Sequence, residues 1–485
     1  MMDLELTAGD REQLAAAGIS EDEARRQVGL LRQPPPAIRL ARPCTLGDGI
    51  ERLAEADQGR YLRLASQAAA AGRVTKLVPA SGAASRMFQG LQKLREGGGA
   101  SADDERFFTQ LPSLPLAGEV FSRVDPRADR RQILDALLGE SGLDLGRQPK
   151  ALIPFHPGES GPATAFEEHL AEALAYALDE GGRARVHFTV QADHQEAFEN
   201  LLAGARDRWE ASGQSIEVSF SQQHPATDTL ALDDSGQPFR QADGRLLLRP
   251  GGHGALIVNL ADLGGDLVSI KNIDNVVPAK QSGLVVHWKR LLLGRLAELQ
   301  ERAFGALEAL DAGDHRLATE VVAHDLGQQA PADPEAMRQR LDRPLRVCGV
   351  VRNQGEPGGG PYWVQGSDGH TSLQLVEASQ VADDQKHLIA EGTHFNPVDL
   401  ACAVRDRHGR PFDLERFIDP ATAFVAPKSH QGRTLTALER PGLWNGAMAG
   451  WNTIFVEVPL KTFAPVKTVY DLLRPEHSGS RAEAP

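Results

Sequence analysis

Basic residues are in short supply. The chain carries 52 Lys and Arg against 66 Asp and Glu, a formal net charge of −14 over 485 residues. A general nucleic-acid binder needs a Lys/Arg excess on at least one face, so that class is set aside, while a local basic pocket is not. Cysteine is scarcer still: Cys44, Cys348 and Cys402 lie far apart and form no CxxC. That excludes a disulfide framework and a zinc ribbon, and it fits a reducing compartment. No apolar run reaches the roughly 18 residues of a membrane span. The opening MMDLELTAGDREQ is acidic and lacks an apolar h-region, so no signal peptide is expected and the expected location is cytoplasmic. HExxH spacing and a GxSxG elbow are absent, and no cysteine has a histidine partner nearby in sequence. Nucleophile-type hydrolysis therefore has little support.

What remains is an ordinary soluble composition, 41% hydrophobic and 24% charged. Residues 1–70 read as a helical N-terminal region broken by Pro34-Pro35-Pro36. Strands then alternate with helices to about residue 290, as in TKLVP, RVHFTVQ, SIEVSF and DLVSIK, which predicts an α/β core. The expected division is a core over 71–344 with a helical insertion at 95–148, a β-rich part over 345–475, and a disordered tail at 476–485. The insertion suits either a lid or a surface decoration. The N-terminal helices suit packing on the core or a dimer contact, and the oligomeric state stays open.

Four constellations carry candidate chemistry. Ser81, Gly82, Ala83, Ala84, Ser85 and Arg86 follow a strand. Small residues let backbone N–H groups approach phosphate oxygens, a helix expected from about Ala84 adds partial positive charge, and Arg86 is a bidentate phosphate donor. The structural alternative is a tight turn with a solvent-facing Arg. Lys150, between Pro149 and a strand-like run, is a candidate point charge. Gly252, His253 and Gly254 offer close backbone approach to a base or sugar. Asp274, in the NIDN loop after an apolar strand, suits Mg²⁺, which takes one or two carboxylates plus phosphates and water. The alternative there is an Asx turn. Lys467 stands at the exit of a further strand.

Taken in order, SGAASRM, PKALIP, GGHG, NIDN and EVPLKTFAPVKT with DLL three residues on resemble the UDP-sugar pyrophosphorylase superfamily over roughly residues 75–475. LQLVEASQV, THFNPVDL and FDLERFIDPATAF look like stretches of its N-acetylhexosamine branch. As a whole the chain looks like a bacterial domain-of-unknown-function family sharing VPASGAASRMF, GEPGGGP, THFNPVDL and GLWNGAMA. The chain departs from the superfamily in its SGAAS loop, in the roughly 60 residues between Arg86 and Pro149, and in Ala255 after Gly-His-Gly.

The resemblance implies a GT-A-like, Rossmann-like mixed sheet flanked by helices. It also implies transfer of a nucleotidyl group from an NTP, UTP first, to a sugar-1-phosphate with release of pyrophosphate. The implied roles are Ser81–Ser85 and Arg86 on the β/γ-phosphates, Lys150 on the α-phosphate, Asp274 on Mg²⁺, and Lys467 on the incoming sugar phosphate. Gln222 or Gln223 is expected to read the base, Gly252, His253 and Gly254 to line the nucleoside–sugar region, and Glu377 and Asn396 to meet sugar hydroxyls. Another base and sugar, such as GTP with mannose-1-phosphate, and a non-catalytic nucleotide-sugar sensor are the alternatives.

Overall fold

The run Val74–Pro79 is buried at all but its last residue and pairs in parallel with Arg183–Thr189. Both are short, and in Arg183–Thr189 the apolar Ala184, Val186 and Phe188 alternate with polar residues, as in a strand. The computed structural model containing them describes residues 4–158, 161–210, 213–355, 358–366 and 369–478. Part of the GEPGGGP run and most of the expected tail, residues 479–485, lie outside the described residues; Pro475–Ser478 form a helical turn.

The chain is a mixed α/β protein of two units, each built from three separated stretches. The first comprises 1–64, 221–268 and 292–458; the second comprises 65–220, 269–291 and 459–485. In the second unit the strands run in the order Leu267–Lys271, Val74–Pro79, Arg183–Thr189, Ser215–Ser221, with only the last three residues of Leu267–Lys271 and all but Ser221 of the last strand assigned to it. The helix Ala165–Tyr176 packs here. Thr164 and Glu167 form a reciprocal capping box that fixes its start. Its buried face sends Phe166 against Phe188, ring centroids 4.6 Å apart, and against Phe198 at 5.4 Å. Each such ring withdrawn from water contributes about 1.5–3 kcal/mol.

In the first unit Leu345–Arg352 pairs antiparallel with Asp399–Ala403 and parallel with Asn452–Glu457, so its sheet is mixed. Helices Ala8–Ala17 and Glu21–Arg32 start at Thr7 and Ser20 caps and bury Leu14, Val28 and Leu31 against Leu230, Leu246 and Leu438. Residues 40–51, read from sequence as helical, form three short strands instead. Gly47 and Gly49 take positive φ, and a Cβ at Gly49 would sit 2.8 Å from Cys44 Sγ, so the chain reverses where a helix would run on. All three cysteines are free and buried. Among the described residues, no helix is long and apolar enough to cross a membrane.

Candidate active site

The second unit gathers the charged candidates. After the 74–79 strand, Ala80 N–H donates to Thr189 O at 2.9 Å and Gln191 Nε2 donates to Ser81 O at 2.9 Å. Ala83 then pairs with Pro149 as an isolated bridge, with Lys150 N–H on Gly82 O at 3.0 Å and Ala84 N–H on Gln148 O at 2.9 Å. The small-residue loop and the lysine segment are thus stitched together through backbone. Gly82, Ala83 and Ser85 are exposed, and among the described residues their N–H groups have no backbone acceptor. The helix expected from about Ala84 starts at Gln89; residues 84–88 are turns, held by the bridge to Pro149. The loop therefore offers free amides without a long helix behind it. Arg86 is exposed and has no carboxylate partner among the described residues.

Asp274 is where two lysines meet. Its Oδ2 lies 2.9 Å from Lys150 Nζ and 3.4 Å from Lys467 Nζ. Burial pushes the Asp274 carboxyl up, but the two ammonium groups outweigh it and hold it below its ordinary range. Burial pushes Lys150 down against the attraction of Asp274. The loop is fixed from both ends: Val466 N–H donates to Asp274 O at 3.0 Å, and Ala464 N–H to Asn275 Oδ1 at 3.0 Å. Asp471 Oδ2 accepts the N–H groups of Lys467 at 2.8 Å and Thr468 at 2.7 Å, which sets the lysine's backbone.

The residues present fit one divalent cation of the kind the resemblance implies. Asp274 Oδ1 is buried and has no hydrogen-bond partner. A lone carboxylate oxygen is what Mg²⁺ takes from a protein when phosphates and water supply the rest. Among the described residues no group of three or more His, Cys, Asp or Glu side chains forms a metal cage.

A buried charge group backs this loop. Lys76 and Lys271 share the Glu172 carboxylate at 3.2 and 2.7 Å, and Lys76 Nζ also donates to His169 O at 2.9 Å. Burial pushes the Lys76 ammonium down to about 7. His169 Nε2 donates to Ile273 O at 3.2 Å, beside Asp274.

The first unit holds a recess of about 320 Å³, including its open mouth, lined by Gly251–Gly254, Glu377, Glu439, Arg440 and Asn445. His253 stacks on Trp444 with centroids 4.5 Å apart, and its Nδ1 accepts Leu443 N–H at 3.2 Å. Burial pushes its pKa down against the pull of Glu377 and Glu439, so the ring is neutral and carries its proton on Nε2. A Cβ at Gly254 would overlap Pro441 O, and one at Gly251 would come within 2.5 Å of Thr227 O. Gly254, expected to admit a ligand, and Gly251 before it therefore make room for the chain itself, while Gly252, at φ +66°, faces open space.

The other candidates are placed differently. Asn396 Nδ2 donates to Gly349 O at 2.6 Å and its Oδ1 accepts Val398 N–H at 3.0 Å, which pins Val398 at φ +59°. Asn396 does not line the recess. Gln222 O accepts Asn259 Nδ2 at 2.8 Å, and Gln223 Nε2 points to Asp228 Oδ1 at 3.5 Å. Sequence reasoning missed Glu439, Arg440 and Asn445. Asn445 lies in GLWNGAMA, and its buried Oδ1 has no partner.

Comparison with solved structures finds long but distant likenesses. A mutant UDP-glucose pyrophosphorylase from Leishmania major is 15% identical, over 97% of this chain and 79% of that one, with a TM-score of 0.49. The uridine diphosphate N-acetylglucosamine pyrophosphorylase from Trypanosoma brucei, in complex with inhibitor, is 14% identical over 96% and 79%, with a TM-score of 0.47. No curated protein matches the sequence. One family model spans nearly the whole chain, residues 7–478, and the protein accordingly belongs to the family described as domain of unknown function DUF4301.

Proposed function

We propose that this protein is a nucleotidyltransferase that makes a nucleotide sugar from an NTP, UTP first, and a sugar-1-phosphate, releasing pyrophosphate, with Mg²⁺ as cofactor. The observation that carries the reading is the pair of ammonium groups, Lys150 and Lys467, on one buried carboxylate whose second oxygen is unpartnered. In the reaction an oxygen of the sugar phosphate attacks the α-phosphorus, a new P–O bond forms, and the bond to the pyrophosphate oxygen breaks. Such a displacement needs in-line positioning and charge neutralisation more than acid–base chemistry. Lys150, mostly shielded and held by Asp274, supplies fixed positive charge at the α-phosphate and the leaving group. Lys467, more than half exposed, is free to reach the incoming phosphate. The free amides of the Ser81–Ser85 loop and Arg86 hold the β/γ-phosphates. Asp274 Oδ1 would hold Mg²⁺, which when bound supplies Lewis-acid neutralisation and a template. Gly252, His253 and Gly254 are assigned to nucleoside–sugar recognition, Glu377 to sugar hydroxyls, and Gln222 or Gln223 to the base. The expected setting is cytoplasmic.

The test is a panel of four NTPs against several sugar-1-phosphates with Mg²⁺, read as pyrophosphate release. Lys467→Ala and Asp274→Ala are each expected to lower the rate by about 10²-fold or more. Near-normal rates in both would sink the assignment.

A nucleotide-sugar sensor is the second reading, and one observation favours it: the loop amides lack the helix expected directly behind them, which starts only at Gln89. Tight binding of a nucleotide sugar with no pyrophosphate release from any pair would select the sensor. Release with GTP and mannose-1-phosphate alone would keep the chemistry and change the substrates.

A further inference from the structure

The helices Ala102–Gln110 and Arg130–Leu138 take no part in the chemistry proposed above. One of their side chains does reach toward it. Asp104 is 4% exposed. Its Oδ2 closes a capping box on Ser101, accepting the backbone N–H at 2.7 Å and the hydroxyl at 2.7 Å. Its Oδ1 accepts the Tyr470 hydroxyl at 2.5 Å.

Tyr470 stands three residues after Lys467. Its ring lies edge-on to Phe107, centroids 6.4 Å apart at 89°, and a Cβ at Gly90 would overlap its hydroxyl. The strap 466–471 is therefore fixed at four successive points: Val466 on Asp274 O, Lys467 and Thr468 on Asp471, Val469 on Met87 O at 3.0 Å, and Tyr470 on Asp104. The first three holds come from segments that already carry candidate residues or from the strap itself. The fourth comes from the insertion. Packing alone would accept phenylalanine at 470; the hydroxyl serves the buried carboxylate of Asp104.

We infer that the Ala102–Gln110 helix is a brace for the strap that carries Lys467, with Asp104 and Tyr470 as positioning residues for the end of the reaction that receives the sugar phosphate. This rests on the nucleotidyl-transfer reading for its kinetic part and on geometry alone for its mechanical part. A lid would open and close over a ligand; a buried carboxylate shared between a helix cap and a tyrosine hydroxyl ties the insertion down instead.

The experiment compares Tyr470→Phe and Asp104→Asn with the full-length protein. Arg95→Ala serves as control, since it removes the Arg95–Asp135 pair elsewhere in the insertion. Hydrogen exchange without ligand should show the Lys467, Thr468 and Val469 amides exchanging about tenfold faster in both variants and not in the control, the size expected on losing one hydrogen bond to a charged acceptor. In turnover, Tyr470→Phe should raise KM for the sugar-1-phosphate about tenfold and leave KM for the NTP within about twofold. Unchanged exchange overturns the brace. Faster exchange with equal rises in both KM values overturns the positioning role. If the unaltered protein turns over no substrate pair, the enzyme reading fails, and the exchange measurement still decides whether the brace exists.

Discussion

Lys150 Nζ and Asp274 Oδ2 lie 2.9 Å apart, both nearly withdrawn from solvent, and join two segments separated by 124 positions. Breaking this pair from the lysine side leaves a carboxylate with only the exposed Lys467 for company. Lys150→Met is expected to destabilise the protein by about 3 kcal/mol, the lower end of the cost of breaking a buried pair. The double variant Lys150→Met/Asp274→Leu should recover much of that loss. Urea unfolding of the three proteins checks it; a single variant as stable as the parent would show that the pair contributes nothing.

Acid and base should both weaken the fold through a buried triad in the second unit. His156 Nδ1 meets Glu168 Oε1 at 2.8 Å, and His156 Nε2 meets His477 Nδ1 at 2.8 Å. Burial pushes Glu168 up to about 8 from its ordinary 4.5, so its contribution is complete below 4.5 and is lost as pH rises through 8. Burial pushes His156 down to about 3 and His477 to about 4 from 6.5, so theirs is complete above 6.5 and lost as pH falls. Two groups against one give rising stability up to about pH 6.5 and falling stability from there to about 8. Thermal midpoints across this range should trace that maximum, and Glu168→Gln should remove the alkaline decline.

Gly254 is predicted to tolerate nothing larger. Its missing Cβ leaves room for the Pro441 carbonyl, a backbone atom that cannot swing aside. Gly254→Ala should cost about 1–3 kcal/mol through overpacking and loosen the stacking of His253 on Trp444. Thermal unfolding together with tryptophan fluorescence tests both effects.

Asp471→Ala should free the backbone at Lys467 and Thr468, because it removes the carboxylate oxygen that accepts their N–H groups. The expected result is a fall in kcat/KM of about tenfold with the protein still folded, smaller than that of Lys467→Ala. Equal losses in the two variants would mean that the strap has collapsed rather than loosened.

Much of the framework was legible because its strands are short runs, mainly apolar at 74–79 and 267–271 and alternating at 183–189. The errors have local causes. Residues 40–51 fall within a region read as helical from its neighbours, yet two glycines at positive φ decide the path. Ala84 to Met87 have helix-forming side chains, yet a two-residue pairing with Pro149 delays the helix to Gln89. Asn396 carries no sign in the sequence that its amide is taken by Gly349 and Val398. The meeting of Lys150, Asp274 and Lys467 depends on long-range contacts that neither composition nor periodicity encodes. Only the order of the motifs hinted at it.

The interleaving of the two units has a consequence for how the protein is made. The small-residue loop and Lys150 belong to the first long stretch of the second unit, but Val466 and Lys467 belong to its last. Between them the ribosome must synthesise residues 292–458, which fold elsewhere. The Asp274 loop therefore emerges long before its second lysine and the backbone bond from Val466, and it waits as a buried carboxylate with an incomplete surround. The charged centre is completed late, once residues 464–471 have followed. Ribosome-bound intermediates ending before residue 459 should hold most of both cores and none of the finished site.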